Sequence, residues 1–76
     1  MYFEKVRKLI ADELSIDESK ITLESRLSED LGADSLDAVE LVFKIEEVFN
    51  VTLTEEESTN LQTVGDVVKL LEAKLK

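Results

Sequence analysis

The 76-residue sequence contains no cysteine, histidine, proline or tryptophan, and it has only two glycines. Without cysteine there is no disulfide framework, so we do not expect a small secreted scaffold. Without histidine and cysteine, a serine nucleophile lacks its usual general base and zinc lacks its soft ligands. We therefore predict that the chain is not an enzyme, has no catalytic residues and holds no metal.

The chain also lacks long apolar runs. None approaches the roughly 20 residues that a membrane-spanning helix needs, and the N-terminus does not have the pattern of a signal peptide. A length of 76 residues fits one domain, residues 1–76. We expect a cytoplasmic, monomeric protein without membrane insertion.

Acidic residues are abundant and are concentrated in one segment. The formal net charge is −9, and residues 29–57 hold ten acids and a single base, Lys44. Elsewhere the eight acids and eight bases balance. Such a segment repels nucleic acid and attracts basic patches on proteins, although it can also be a solvated face that keeps the chain soluble.

Apolar periodicity predicts four helices and no convincing strand. They are Tyr2–Leu14, Ser35–Phe49, a short helix within 55–61 and a fourth that opens at Thr63. Residues 51–54 are interpreted as a connector. Residues 15–34 form a long loop with one possible helical turn at 17–20, and we expect five apolar residues to hold it against the core: Ile16, Ile21, Leu23, Leu27 and Leu31.

The helix over 35–49 has two apolar faces, since successive helical residues turn by roughly 100°. The first face is predicted to join the core and comprises Leu41, Val42, Ile45, Val48 and Phe49. The second comprises Leu36, Val39 and Phe43, next to Glu40 and Glu47. We favour a docking surface for a partner, because burying the two carboxylates unpaired would be costly. The alternative is that the 15–34 loop covers this face.

Ser35 stands at the start of this helix. From its position it is an N-cap, but Asp34 is an equally good cap, with Asp37 three residues on to complete a capping box. If Asp34 is the cap, the Ser35 hydroxyl is free, and a phosphoryl group on it would meet the positive end of the helix. Spacing does not decide between a cap and a modification site.

Residues 31–37, Leu-Gly-Ala-Asp-Ser-Leu-Asp, resemble the phosphopantetheine attachment signature of acyl carrier proteins. Residues 40–49, 55–57 and 63–67 also fit that family, so the resemblance covers essentially the whole chain. It implies an all-α fold, a small four-helix bundle with three longer helices, one short helix and a long first loop. It also implies that Ser35 carries 4′-phosphopantetheine, installed from coenzyme A by a phosphopantetheinyl transferase, and that acyl groups are held on it as thioesters.

The resemblance further implies how partners and cargo are bound. Asp34, Asp37, Glu40 and Glu47 would steer basic patches of fatty-acid synthesis enzymes, while Leu36, Val39 and Phe43 would supply an apolar contact. The acyl chain would lie between the helices, with five candidate lining residues that could equally be plain core: Leu27, Ile45, Leu53, Leu61 and Val67.

Two other functions are weighed against this one. The first is an acidic helical interaction module in which Ser35 is only a cap or a phosphorylation site. The second, within the carrier class, is a polyketide or peptidyl carrier. The dense acidity of residues 29–57 and the standalone length favour the bacterial, dissociated fatty-acid type.

Overall fold

Four α-helices and one 3-10 turn make up the secondary structure of the computed structural model, which describes residues 2–75. The helices are α1 (Tyr2–Leu14), α2 (Ser35–Phe49), α3 (Glu55–Thr59) and α4 (Val64–Lys74), and the 3-10 turn is Glu18–Lys20. Across the described chain the only bridge-type pairing is an isolated one between Arg26 and Thr63. The predicted all-α bundle, with three longer helices, one short helix and a long first loop, is confirmed.

The hydrophobic core is built around α1, which packs against both α2 and α4. Its Val6 and Ile10 are almost completely buried, as are Val64 and Leu71 of α4. Burial of each such aliphatic side chain contributes about 1.5–3 kcal/mol. The buried core comprises Val6, Ile10, Ala11, Ile21, Leu41, Ile45, Leu53, Val64, Val67, Val68 and Leu71.

Helix α3 is held in place differently, since none of its residues is buried. A capping box at Thr54 and Glu57 closes its first turn. The Glu57 carboxylate also pairs with Lys74 at the end of α4, with Nζ and Oε1 3.0 Å apart. Leu53, just before α3, is buried and anchors the connector to the core.

The long loop over 15–34 is held by its apolar residues and by its backbone. Ile21 is buried, and Ile16, Leu27 and Leu31 pack partly buried against the core, as predicted. The prediction for Leu23 is wrong, because its side chain is 45% exposed. Its carbonyl oxygen makes the contact instead, accepting the Gly65 N–H of α4 at 2.8 Å.

A second correction concerns the core face of α2. Leu41 and Ile45 are buried and Val42 and Phe49 are partly buried, but Val48 is 57% exposed. Val48 lies at the rim of the contact between α1 and α2, where no third element covers it. A helix in so small a bundle is covered over a narrower arc than its apolar residues span.

Candidate functional site

The start of α2 is closed by Asp34, which resolves the choice between two caps. The Asp37 N–H donates to Asp34 Oδ1 at 2.9 Å, and the Asp34 N–H donates to Asp37 Oδ2 at 3.2 Å. Ser35 is the first residue of the helix and is exposed. Its hydroxyl therefore has no capping role and faces solvent at the positive end of α2.

Two backbone donors at this helix end are also free. Within residues 2–75, the N–H groups of Ser35 and Leu36 donate to no protein acceptor. At the start of α4, by contrast, the N–H groups of Val64 and Gly65 donate to the carbonyls of Ser25 and Leu23. The open end of α2 can therefore receive an anionic group next to Ser35.

A tight turn before α2 positions the serine. Gly32 adopts a left-handed φ of +74°, with nothing within 4 Å of where a Cβ would stand. The Gly32 N–H donates to the Ser28 carbonyl, and the next N–H, of Ala33, donates to the Leu27 carbonyl. Ala33 is buried, so the chain is anchored just before Asp34 and Ser35 emerge on the surface.

The second apolar face of α2 is open to solvent. Leu36 is 66% exposed, Val39 48% and Phe43 64%. Glu40 and Glu47 are exposed beside them. We call these five residues the docking strip. The alternative that the 15–34 loop covers this face is excluded, because large apolar side chains remain in water there.

Negative charge is concentrated at the edge of the docking strip. A hydrogen bond with the Glu13 carboxyl of α1 raises the pKa of Glu40, and partial desolvation and the charges of Glu13, Asp37 and Asp34 raise it further. The carboxylates at this end of the molecule therefore repel one another in the folded chain. A cation or a basic side chain arriving there would relieve that repulsion.

An apolar groove runs from Ser35 between α2 and α3. Its volume is about 610 Å³ and its walls include Val39, Val42, Leu53 and Leu61. Beneath it lies a small internal cavity of about 30 Å³, lined by Leu27, Ile45, Leu61 and Val67 among others. Of the five candidate acyl-lining residues, four therefore line the cavity, Leu53 lines the outer groove, and Leu61 borders both.

Several residues of the groove were not identified from the sequence. Ala38, Val42 and Ser58 line both the groove and the internal cavity, together with Leu61. Glu46 lines the groove, and its Oε2 accepts the Leu53 N–H at 2.9 Å. Helical spacing could have placed Ala38 and Val42 on the side of Ser35. No local pattern links Glu46 to a connector residue seven positions away.

Two kinds of site have no counterpart in the part of the chain that the structure describes. Among residues 2–75, no group of three or more acidic side chains is arranged to hold a metal ion. In the same range, no helix has the length and apolar character needed to cross a bilayer.

Comparison with known proteins identifies the family. The model of the phosphopantetheine attachment site matches residues 4–71. The chain belongs to the phosphopantetheine attachment-site family. Its fold is also that of a solved structure described as an acyl carrier protein from Mycobacterium tuberculosis, with a TM-score of 0.90 and 30% sequence identity. The match covers 96% of this chain and 97% of the other.

Membership of this family establishes the general role of the chain. Proteins of the family are carriers and not enzymes, and they bear a covalently attached 4′-phosphopantetheine group. They work with a phosphopantetheinyl transferase and with partner synthesis enzymes. The residues at the start of α2 fit such a group, because an exposed hydroxyl stands beside free N–H donors at the mouth of an apolar groove.

Proposed function

We propose that residues 1–76 form a single acyl carrier domain of the fatty-acid type, with 4′-phosphopantetheine attached through Ser35 Oγ. The observation that carries this proposal is the position of Ser35, which is exposed in the first turn of α2 and relieved of capping by Asp34. When bound, the group supplies a terminal thiol that holds acyl chains as thioesters. The protein itself supplies the tether point and the surfaces around it.

The residues around Ser35 accommodate a phosphodiester despite their charge. Asp34 and Asp37 repel it, but their carboxylates are each engaged by a backbone N–H in the capping box. The free N–H groups of Ser35 and Leu36 and the helix dipole oppose that repulsion. The sequence has no histidine or cysteine to take the Ser35 hydroxyl proton. We assign that proton transfer to the phosphopantetheinyl transferase.

Intact-mass measurement tests the attachment residue. We expect the purified chain, incubated with coenzyme A and a phosphopantetheinyl transferase, to gain the mass of one phosphopantetheine group. Ser35→Ala should gain none, whereas Ser28→Ala, a matched change at an exposed serine of the preceding turn, should be modified normally. An adduct on Ser35→Ala would show that another residue carries the group, and no adduct on the unmodified sequence would favour the acidic interaction module.

The docking strip is proposed as the surface on which partner enzymes bind. Asp34, Asp37, Glu40 and Glu47 attract basic patches, and Leu36, Val39 and Phe43 add a small apolar contact. Charge steering with a small apolar contact gives fast association and weak binding, which suits a carrier that must leave each partner.

A charge reversal tests the docking strip. We expect Glu47→Lys to weaken binding of the phosphopantetheine-bearing chain to a ketoacyl synthase by about three- to tenfold at low salt. Glu72→Lys makes the same change in net charge at an exposed site on α4 and serves as the control. Affinities are measured by biolayer interferometry. Equal effects of the two variants would show that the net charge of the chain, and not the docking strip, determines the affinity.

The groove between α2 and α3 is proposed to shelter the acyl chain. It starts at Ser35 and is mostly apolar, with Leu53 and Leu61 along its wall. Leu27, Ile45 and Val67 lie deeper, around the small cavity beyond Leu61. Leu61, Ala38, Val42 and Ser58 border both spaces, so the length of chain that can enter the cavity is limited by how far these side chains move.

Thioester reactivity tests the groove. We expect an octanoyl thioester on the chain to react with hydroxylamine several-fold more slowly than an acetyl thioester. Val42→Trp, which fills the groove near Leu61, should remove most of that difference. Equal protection in both proteins would place the acyl chain elsewhere.

The fatty-acid type is preferred to a polyketide or peptidyl carrier because of the acid density of residues 29–57, where ten acids face one base. A freely diffusing, monomeric carrier in the cytoplasm meets many enzymes and gains from long-range steering. Loading and elongation by the malonyl transferase and ketoacyl synthase of fatty-acid synthesis should therefore be efficient. Efficient loading only by polyketide or peptide synthases would overturn this choice.

A further inference from the structure

A second groove lies between α1 and α2, beside the docking strip and opposite in charge. It has a volume of about 470 Å³. The residues that line it are Lys5, Lys8, Leu9, Asp12, Glu13, Lys44 and Val48. We call it the α1–α2 groove. Three ammonium groups around one groove are unexpected in a chain with a net charge of −9.

The three lysines of the α1–α2 groove are available to a partner. The ion pairs within residues 2–75 use Arg7, Arg26 and Lys74, so Lys5, Lys8 and Lys44 pair with no carboxylate there. Asp12 and Glu13 also line the groove, which leaves it with an excess of one positive charge. An acidic side chain entering from outside would therefore find an unpaired cation.

The α1–α2 groove also has an apolar contact site. Val48 is 57% exposed although it belongs to a largely apolar helix, and Leu9 is partly buried next to it. The aliphatic stems of the lysines extend this apolar surface, while their charged ends stay in water. A side chain inserted between Leu9 and Val48 would remove apolar area from water on both sides.

The α1–α2 groove continues the docking strip. Glu40, Lys44 and Val48 follow one another at intervals of four residues along α2, so they form one ridge. Glu40 belongs to the strip, and Lys44 and Val48 belong to the groove. Because neighbours on such a ridge lie roughly 6 Å apart, a partner seated on the strip reaches Lys44 without moving.

We propose that the docking surface of this carrier extends over the α1–α2 groove and binds a protein surface that carries both basic and acidic side chains. The inference rests on the proposed function. The partner enzyme presents a basic patch to the docking strip and, next to it, an acidic segment with an apolar side chain. The carboxylate pairs with Lys44, Lys8 or Lys5, and the apolar side chain packs between Leu9 and Val48. Proteins that have the basic patch but lack the acidic segment bind more weakly.

Other occupants fit the charges less well. A phospholipid surface or a nucleic acid presents negative charge alone, which the net charge of −9 repels. A second copy of the chain also presents both signs, but its net charge of −9 repels the first copy. A protein surface with both signs complements the strip and the groove together.

The decisive test is the sign of a charge reversal. If negative charge alone governs docking, Lys44→Glu should tighten binding to the ketoacyl synthase. Under our proposal, Lys44→Glu instead weakens binding by about three- to tenfold at low salt, and Lys8→Glu acts in the same direction. Lys69→Glu, the same change at an exposed site on α4, should leave affinity unchanged or slightly increased. Tighter binding of Lys44→Glu overturns the proposal.

Parallel measurements separate this proposal from the docking strip and from other occupants. If Glu47→Lys leaves affinity unchanged while Lys44→Glu weakens it, the strip fails and the groove stands. Sedimentation of the free chain and binding to phosphatidylglycerol vesicles are measured for the same variants. Self-association or vesicle binding that Lys44→Glu abolishes would identify a second copy or a lipid as the occupant and overturn the proposal. Thermal melts by circular dichroism confirm that each variant is folded.

Discussion

Gly65 is the position where helix propensity and tertiary packing make opposite predictions. It lies in the first turn of α4, and alanine is favoured over glycine by up to about 1 kcal/mol within a helix. A Cβ at this position would stand 3.0 Å from the Leu23 carbonyl oxygen, so that oxygen must move by a few tenths of an ångström. The same oxygen accepts the Gly65 N–H at 2.8 Å.

The cost of that movement outweighs the gain in propensity. Because the neighbouring Val64 N–H donates to the Ser25 carbonyl at 3.0 Å, displacing the loop strains two hydrogen bonds. Each contributes about 0.5–1.5 kcal/mol, and tight contact adds strain of about 1 kcal/mol. We therefore expect Gly65→Ala to lower the free energy of unfolding by about 1 kcal/mol. For a domain of this size, Tm should fall by about 4–8 °C.

Urea unfolding followed by circular dichroism measures this effect, and Gly32 provides the matched control. Gly32 has open space around it but a left-handed φ, so substitution there is limited by the backbone conformation and not by contacts with neighbouring atoms. Asparagine tolerates that conformation, and Gly32→Asn should cost less than Gly32→Ala. At position 65 asparagine should cost at least as much as alanine. A rise in stability of Gly65→Ala would show that the loop yields freely and refute the argument.

Four further predictions concern the core, two ionisable groups and the effect of salt. Leu71→Ala should cost about 2–5 kcal/mol in urea unfolding, because Leu71 is fully buried in the centre of the core. Hydrogen bonds from the Thr63 and Gln62 N–H groups lower the pKa of Asp66 below 3.8, so its stabilising contribution is present above that pH and lost as the pH falls further. Asp66→Asn should therefore be less stable near neutrality and equally stable in strong acid. The pKa of Glu40 is raised instead, so its charged form destabilises the fold. Glu40→Gln should therefore raise Tm at neutral pH and lose that advantage below pH 4.5, where Glu40 is protonated in both states. Added salt should raise Tm of the unmodified sequence and reduce the gain from Glu40→Gln, whereas salt-independent melting would show that the repulsion is negligible.

The helices were predictable because their signals are local. Apolar residues at helical spacing and the capping residues Thr54 and Thr63 lie within a turn of the backbone groups they affect. The predicted limits of α1 and α2 agree with the structure, and the single turn near Ser19 is present. The motif around Ser35 was likewise readable, since it is one continuous run.

The errors have a different physical origin. Leu23 was assigned to the core as one of five apolar residues of the long loop, and Val48 from helical periodicity, and both are exposed. Periodicity states which residues share a face, but not how wide an arc of that face the neighbouring elements cover. The tie between Glu46 and Leu53 was missed for a related reason, because its partners meet only once the connector folds back along α2.

The sequence by itself determined where the helices begin, which serine follows the carboxylates at the second helix, and how strongly acidic the central segment is. Only the tertiary structure decided that Asp34 is the cap, that the apolar strip of α2 stays in water, and that lysines of α1 meet Lys44 at one groove. Capping hydrogen bonds and helical periodicity involve residues only a few positions apart, so they can be recognised in the sequence. Whether a side chain is exposed depends on which distant segments pack over it. That is decided only when α1, α4 and the long loop pack together around one core.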